Sequence, residues 1–304
     1  MNRGLLILLA AIVASCTNIN TENITVDFTD TIATDLDNND ESKAVYIAIA
    51  SMTSPKETYI YYSDLINYIS EKIDRPIYIK QKETYEEVNE LLKNSEVDFA
   101  FICSGAFVEE YSDRNIKLLV APVIHQKATY HAYIITQKDS KVLGFSDFEN
   151  KSFAFTDPLS TTGRLYPLQL LKRRRKIEED FFLKTIYTYG HDISIQMVNR
   201  GIIDGASVHG LIYDYIAQHH PERVENIKII DKSVKFGIPP VVTPTTLDQG
   251  DFMAYRNVFM DMSNDSIGKV ILDNLNIDKY QVVGDTLYRS VFQLKEYTDN
   301  VVKK

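Results

Sequence analysis

Three hydroxyl side chains stand together in the second half of the chain. A short apolar pattern at 153–155 predicts a strand, which ends at Asp157. Ser160, Thr161 and Thr162 follow, just before a run of residues with helical spacing. The first amides of a helix have no partner inside the helix, and the helix dipole adds positive charge there. This pattern predicts a site for a small oxyanion, and a plain helix cap is the alternative.

Two further polar residues of the same half could reach such a ligand. His191 opens a helical pattern after a predicted strand, so its ring could donate an N–H to an oxyanion, or could cap the helix together with Asp192. Asp204 ends a turn that precedes another predicted strand. An ionised carboxylate only accepts hydrogen bonds, so it would select a protonated oxyanion or a ligand with an amine. A turn-forming role for Asp204 is the alternative.

The first half of the chain offers four more candidates. Ser51 and Thr53 follow the first predicted strand, and Ser104 follows the third. Ligands of open α/β sheets bind at the carboxyl ends of strands, although helix caps occupy the same positions. Tyr130 lies between two predicted strands and could line a cleft or pack in the core.

A hydrolase is the competing class of protein, because Ser160, His191 and Asp204 are the residue types of a catalytic triad. The sequence has no Gly-x-Ser-x-Gly elbow, no Cys and His spacing typical of a metal site, and no Gly-x-x-x-x-Gly-Lys loop. We therefore expect no catalytic residues, no bound metal and no cofactor.

Apolar spacing along the chain predicts strands and helices in alternation. Strands are expected at 45–49, 76–80, 97–103, 117–123 and 131–136, and in a second series at 153–155, 183–189, 204–208 and 227–230. Helices are expected at 62–73, 84–92, 163–176, 192–199, 209–218, 247–261, 266–272 and 286–302. Thr84 and Glu87 form a capping-box pattern. Two βαβ series in tandem predict an α/β protein with two lobes.

The start of the chain has the pattern of an export signal. One charge at Arg3 precedes a short apolar run, and the small residues before Cys16 resemble a bacterial lipobox. We expect residues 1–16 to be a lipoprotein signal peptide with a lipidated Cys16, and an ordinary signal peptide is the alternative. Residues 17–42 contain no Lys or Arg and no apolar periodicity, which predicts a disordered acidic tether.

The net charge and the number of cysteines exclude some partners and some covalent links. The net charge of −9 argues against nucleic acid as a partner. Cys103 is the only other cysteine, so a disulfide within the mature chain is excluded, and its apolar neighbours predict a buried packing role. The basic run at 172–176 is expected to be a solvated helix face, with docking to a permease or to lipid headgroups as the alternative.

Several segments resemble one known family. Thr156-Asp157-Pro158-Leu159-Ser160-Thr161-Thr162-Gly163, followed by Pro167, is similar to the signature of the phosphate-, phosphite- and phosphonate-binding proteins of ABC importers, the PhnD-like family. Gly190-His191-Asp192 and the segments at 201–206, 96–100 and 237–240 resemble further family segments in the same order. The resemblance extends from about Val45 to about Thr246.

The resemblance implies an architecture. The fold that it implies is the two-lobed periplasmic-binding-protein fold, type II-like, with a ligand cleft and two hinge crossings near 130–137 and 235–244. Lobe 1 would comprise residues 43–133 and 240–304, and lobe 2 residues 134–239.

The resemblance also implies a function. The chain would be a monomeric lipoprotein on the extracytoplasmic side of a membrane, periplasmic or at the cell surface. It would capture phosphate, phosphite or a phosphonate by lobe closure and deliver it to an ABC permease. A ligand-sensing receptor of the same fold, or a binding protein for another small organic metabolite, is the alternative.

Overall fold

The computed structural model describes residues 44–299. The strands are β1 (Val45–Ile49), β2 (Ile77–Gln81), β3 (Phe99–Phe101), β4 (Ile116–Val123), β5 (Thr129–Tyr130), β6 (Ala132–Gln137), β7 (Ser152–Phe155), β8 (Lys184–Tyr187), β9 (Gly205–His209), β10 (Ile227–Lys232), β11 (Phe236–Gly237), β12 (Val241–Pro244) and β13 (Lys279–Gln281). The helices are α1 (Pro55–Ile73), α2 (Tyr85–Lys93), α3 (Ser104–Ser112), α4 (Tyr166–Arg173), α5 (Glu178–Phe181), α6 (His191–Asn199), α7 (Gly210–His219), α8 (Gln249–Asp261), α9 (Ser266–Asn274) and α10 (Arg289–Asp299).

Two sheets form the two predicted lobes. The first sheet has the strand order β13-β4-β12-β3-β1-β2, and the second has the order β10-β6-β9-β7-β8. β1 pairs in parallel with β2 and β3, while β7 pairs in parallel with β8 and β9. The central strands are buried along their length, as expected for sheets that helices cover on both faces.

Two chain crossings connect the sheets. The chain leaves the first sheet after β4 and returns to it at β12, and the short strands β5 and β11 pair antiparallel between the two lobes. β6 begins at Ala132, so the whole of this strand belongs to the second sheet. The exact lobe boundaries at 133 and 239 stay a prediction.

Six elements are absent from the sequence-based prediction: α3, α5, β5, β11, β12 and β13. The predicted strand at 97–103 is only Phe99–Phe101, because α3 begins directly afterwards at Ser104. This helix buries residues on most of its first two turns, so it lacks an amphipathic pattern. β12, in the middle of the first sheet, is flanked and ended by prolines, which made it resemble a crossing segment. β13 has only three residues.

Several predicted features lie outside the described residues. These are the signal peptide with Cys16, the tether at 17–42 and the last residues of the helix predicted at 286–302. Among the helices at 44–299, none combines the length and the apolar character needed to cross a membrane. Cys103 is buried, as predicted for a packing residue, and burial raises the pKa of its thiol.

Candidate anion-binding site between the lobes

The hydroxyl cluster lies at the first turn of a wide helix. Ser160 Oγ accepts a hydrogen bond from Gly163 N at 3.0 Å, so Ser160 is a helix cap. Residues Thr161–Leu165 form a π-helical turn that leads into α4. The Oγ1 atoms of Thr161 and Thr162 are buried and have no hydrogen-bond partner among residues 44–299. The turn therefore has hydroxyl groups beyond those that its own capping requires.

Thr156 packs beneath this turn. Its Oγ1 is also buried, and it has no hydrogen-bond partner in the part of the chain that the structure describes. A Cβ on Gly163 would lie only 1.7 Å from Thr156 Oγ1 and 3.0 Å from Ser160 Oγ. Glycine at position 163 is therefore required by the close approach of the helical turn to the end of β7.

His191 is a neutral hydrogen-bond donor. It opens α6, and its Nδ1 accepts a hydrogen bond from His209 N at 3.1 Å. Burial lowers the pKa of His191 well below its ordinary value, and His209 lowers it further. A neutral ring whose Nδ1 accepts carries its proton on Nε2. This buried Nε2 has no partner within the described residues.

Tyr85 brings a further hydroxyl from the opposite lobe. It is the first residue of α2, next to the Thr84 cap, whose predicted capping box with Glu87 is confirmed. Tyr85 Oη is buried near Ser160, and none of the described residues lies within hydrogen-bonding geometry of it. Burial, with Cys103 and Asp157 nearby, raises its pKa well above the ordinary value. The phenol therefore stays protonated and can donate.

Five atoms are thus grouped as the unpartnered donors: Tyr85 Oη, Thr156 Oγ1, Thr161 Oγ1, Thr162 Oγ1 and His191 Nε2. Buried polar atoms in proteins nearly always have a partner, because leaving one unpaired costs about 1–3 kcal/mol. The residues that carry these atoms come after β7 or β8 in the chain or lie on the first turn of α2. The arrangement fits a small ligand rich in hydrogen-bond acceptors.

The carboxylates near the site already have partners. Asp157 Oδ2 accepts from Tyr85 N at 3.0 Å, and its Oδ1 accepts from Leu159 N at 2.8 Å. Asp192 Oδ1 accepts from Ser54 N at 2.9 Å. Burial raises the pKa of both aspartates. Each carboxylate accepts an amide of the other lobe, so these contacts hold the lobes together.

The first-lobe candidates Ser51, Thr53 and Ser104 have protein partners. Ser51 Oγ donates to Lys82 O at 2.6 Å, and Thr53 Oγ1 lies 3.0 Å from Thr58 Oγ1. Ser104 Oγ donates to Gly237 O at 2.7 Å. These hydroxyls therefore have a structural role within the first lobe and at the crossing.

Tyr130 belongs to the crossing as well. Its hydroxyl lies 3.1 Å from Ser104 Oγ, and its ring stacks on that of His209 with centroids 4.2 Å apart. The side chain is buried beside Thr161. Tyr130 thus packs against the site without an unpartnered atom.

The structure does not bring Asp204 to the other candidates. Asp204 Oδ2 accepts from Ser152 N at 2.8 Å and from Ser152 Oγ at 2.6 Å, and the residue is exposed. β7 and β9 are parallel, so their first residues meet at the edge of the sheet opposite Thr156 and His209. Asp204 and His209 are five residues apart along β9, or about 16 Å.

Tyr85, Thr156 and His209 belong to the site but were not among the sequence-based candidates. His209 ends β9 and caps α7, and burial lowers its pKa to about 3. Its position at the carboxyl end of a strand was the available signal. Tyr85 could not be identified in this way, because it begins a helix and the residue that its amide contacts, Asp157, belongs to the other lobe.

The basic run at 172–176 makes contacts within the second lobe and with the carboxyl-terminal helix α10. Lys172 donates to Tyr297 O, Arg174 Nε donates to Ser146 Oγ at 3.0 Å, and Lys176 pairs with Glu149 at 2.8 Å. Most of these residues are exposed, as expected for a solvated helix face. Within residues 44–299, no three His, Cys, Asp or Glu side chains come together as metal ligands.

Comparison with known sequences identifies relatives. A sequence model of the family described as "ABC transporter, phosphonate, periplasmic substrate-binding protein" matches residues 47–288. The chain is 24% identical over 224 residues to the phosphate-import protein PhnD of Mycolicibacterium smegmatis, and this alignment covers 70% of the chain. The chain spans 64% of the length of that curated relative.

Solved structures share the fold. One is a binding protein component of an ABC phosphonate transporter from Pseudomonas aeruginosa, with a TM-score of 0.79 and 19% identity over 84% of this chain and 86% of that one. Another is PhnD1 from Prochlorococcus marinus in complex with methylphosphonate, with a TM-score of 0.77 and 15% identity over 85% of this chain and 99% of that one. The predicted two-lobed periplasmic-binding fold is confirmed.

Proposed function

Because the chain belongs to the family of periplasmic substrate-binding proteins of phosphonate ABC transporters, we propose that it captures a small phosphorus oxyanion between its lobes. Phosphate, phosphite and phosphonates are the candidate ligands. The observation that carries this proposal is the group of five unpartnered donors, which come from both sides of the cleft.

The chemistry of these donors suits an anion. Hydroxyl groups rotate to aim their protons at an oxygen, and the neutral imidazole donates from Nε2. Hydrogen bonds to a charged acceptor contribute about 1.5–3 kcal/mol each, roughly twice the value for a neutral one. The amino-terminal turn at Thr161 and Thr162 adds the positive end of the helix dipole. An oxyanion would therefore satisfy groups that otherwise remain unpaired in a buried place.

Ligand binding and lobe closure would be coupled. Tyr85 lies on the first lobe, whereas Thr161, Thr162 and His191 lie on the second. A ligand held by both sets would favour the arrangement in which Asp157 and Asp192 accept amides across the cleft. The two crossings would act as the hinge.

A role in import follows from this cycle. The closed form would present one surface made of both lobes to an ABC permease, and the permease with its ATPase would supply the energy. Catalysis by this chain is not part of the proposal. In support, Ser160 is engaged as a cap and Asp204 is bonded to Ser152 at the far edge of the sheet.

Cys16 would anchor the chain to the membrane on the extracytoplasmic side. The support for this anchor is the lipobox pattern of the sequence, which lies outside the described residues. Replacement of Cys16 by Ser should release the chain into the soluble fraction after cell lysis. Retention of Cys16→Ser in the membrane fraction would contradict the anchor.

Calorimetric titration with phosphate, phosphite, methylphosphonate and sulfate tests the proposed ligand class. We expect at least one phosphorus compound to bind, and the double variant Thr161→Val with Thr162→Val to lose at least about 100-fold in affinity, because two bonds to the anion are removed. Thr243→Val is the matched control, since Thr243 has a buried, unpartnered hydroxyl on β12, in the first sheet. Absence of binding by every phosphorus compound would overturn the proposal.

A further inference from the structure

An apolar cavity lies between the lobes beside the unpartnered donors. Its volume is about 170 Å³. Residues of the segment after β1, of α1, of α7 and of the second crossing line it, among them Met52, Tyr61, Leu211, Tyr215 and Pro239. The cavity therefore receives side chains from both lobes and from the crossing.

Two residues border both the cavity and the donor group. His209 lines the cavity, its amide donates to His191 Nδ1, and the two imidazole centroids are 5.7 Å apart. Met52 also lines the cavity, and its carbonyl accepts from His191 N at 2.9 Å. His191 thus has the cavity wall on one side and an unpartnered Nε2 available to a ligand.

Several polar groups at or beside the cavity are bonded to protein. Thr53 and Thr58 pair through their hydroxyls at 3.0 Å. Glu57 pairs with Arg223 at 2.9 Å and with the Tyr61 hydroxyl, and the rings of Tyr61 and Tyr215 make an edge contact. These partners reduce the capacity of the cavity for a polar or cationic occupant, and most of its remaining lining is apolar.

We propose, on the basis of the function proposed above, that this cavity accepts the apolar organic substituent of an organophosphonate. The carbon bound to phosphorus points away from the three oxygens, so oxygens directed at the donors leave the substituent free to extend past His191. An apolar protein cavity of about 150 Å³ accommodates benzene, so the volume suits groups up to about phenyl size. Among residues 44–299, carboxylates close to the cavity are Glu57, which pairs with Arg223, and Asp192, which accepts the Ser54 amide, so an ammonium group would compete with these partners.

Calorimetric titration of the wild-type protein with three probes tests the inference: methylphosphonate, propylphosphonate and 2-aminoethylphosphonate. Each buried methylene strengthens binding about fourfold, so propylphosphonate should bind about 15-fold more tightly than methylphosphonate. The aminoethyl compound has nearly the same shape as the propyl compound, and it should bind at least tenfold more weakly than propylphosphonate.

A substitution in the cavity tests whether the substituent of the phosphonate binds there. Leu211→Trp fills the cavity, so it should abolish the advantage of propylphosphonate while methylphosphonate binds within about twofold of wild type. Leu143→Trp is the control, because Leu143 is 80% exposed on the second lobe. Methylphosphonate binding also reports that each variant is folded.

The outcomes separate the two proposals. If no phosphorus compound binds, the proposed function and this inference both fail. If methylphosphonate binds but propylphosphonate binds no more tightly, or the aminoethyl compound equals it, the inference alone is overturned. The same holds if Leu211→Trp weakens the methyl and propyl compounds equally.

Discussion

The two ends of the second sheet both carry polar side chains, but these side chains are hydrogen-bonded to protein at one end and lack partners at the other. At the amino end of β7 and β9, the Ser152 hydroxyl donates to Asp204 and the Asp204 amide donates back to Ser152 Oγ. At the carboxyl end, Thr156 and His191 have buried polar atoms with no hydrogen-bond partner within residues 44–299. At the amino end the polar groups satisfy each other's hydrogen bonds, whereas the carboxyl end has unpaired polar atoms that a ligand could bind.

This difference shows why residue type alone identifies a binding site poorly. A serine and an aspartate beside a strand look as functional in the sequence as a threonine and a histidine do. What distinguishes them is whether neighbouring protein atoms satisfy their hydrogen bonds. Substitutions at the two ends should therefore have different consequences, and four measurements test this.

The largest effect is expected at Gly163. In Gly163→Ala the added Cβ would meet Thr156 Oγ1 at 1.7 Å, so the turn or Thr156 must move. We expect a loss of affinity for the phosphorus ligand of at least about 100-fold, with destabilisation of about 1–3 kcal/mol. Titration calorimetry and chemical denaturation measure the two effects. In the control Gly144→Ala, a Cβ meets nothing within 4 Å, so both quantities should be unchanged.

Removal of the His191 donor should have the next largest effect. Asn at this position keeps an acceptor for His209 N but removes the Nε2 donor, whereas the longer Gln places an N–H near the Nε2 position. Asn should weaken ligand binding by about 1.5–3 kcal/mol, and Gln should recover part of this. Equal affinities of the two variants would show that Nε2 does not contact the ligand.

Acid should destabilise the unliganded protein through its two buried histidines. Burial lowers the pKa of His191 well below its ordinary value and lowers that of His209 to about 3. As the pH falls, the histidines of the unfolded chain therefore bind protons before those of the folded protein do. The stabilisation is fully present above about pH 6.5 and declines as pH falls toward these lowered values, by about 1.4 kcal/mol per pH unit for each histidine.

Chemical denaturation between pH 7.5 and pH 5 measures this decline. His191→Gln should remove its share of the slope, whereas His219→Gln, an exposed position on α7, should leave the slope of the wild type. A slope unaffected by the His191 substitution would mean that the ring is already solvated and protonated when folded.

Asp204→Asn should have the smallest effect and should act on stability alone. It weakens two hydrogen bonds to Ser152 at an exposed edge, so we expect a loss of about 1 kcal/mol in unfolding free energy. Ligand affinity should stay within twofold of wild type. A large loss of affinity would erase the contrast between the two ends of the sheet.

The sequence predicted much of the fold, because alternation and helical spacing are local properties. The strands at 45–49 and 153–155 and the capping box of Thr84 agree with the structure. α3 and β12 could not be predicted, since a helix that is buried on most sides has no amphipathic period and a strand between prolines resembles a loop.

The site was predictable only in part. The cluster at 160–162 and His191 follow strands of one lobe, and their positions could be inferred from the βαβ order. Whether Ser104 or Tyr85 had a free hydroxyl depended on partners far away in sequence, such as Gly237 for Ser104. Pairing of this kind is decided by tertiary structure, which no local pattern contains.

The position of β12 has a consequence for biosynthesis. This strand pairs with both β3 and β4 in the middle of the first sheet, although about 140 residues of chain separate it from β3. The second sheet is complete once β10 has been made, whereas the first still lacks the central strand β12 and the edge strand β13 at that point. A nascent chain stopped at residue 240 would therefore carry one finished lobe and one sheet split along its centre.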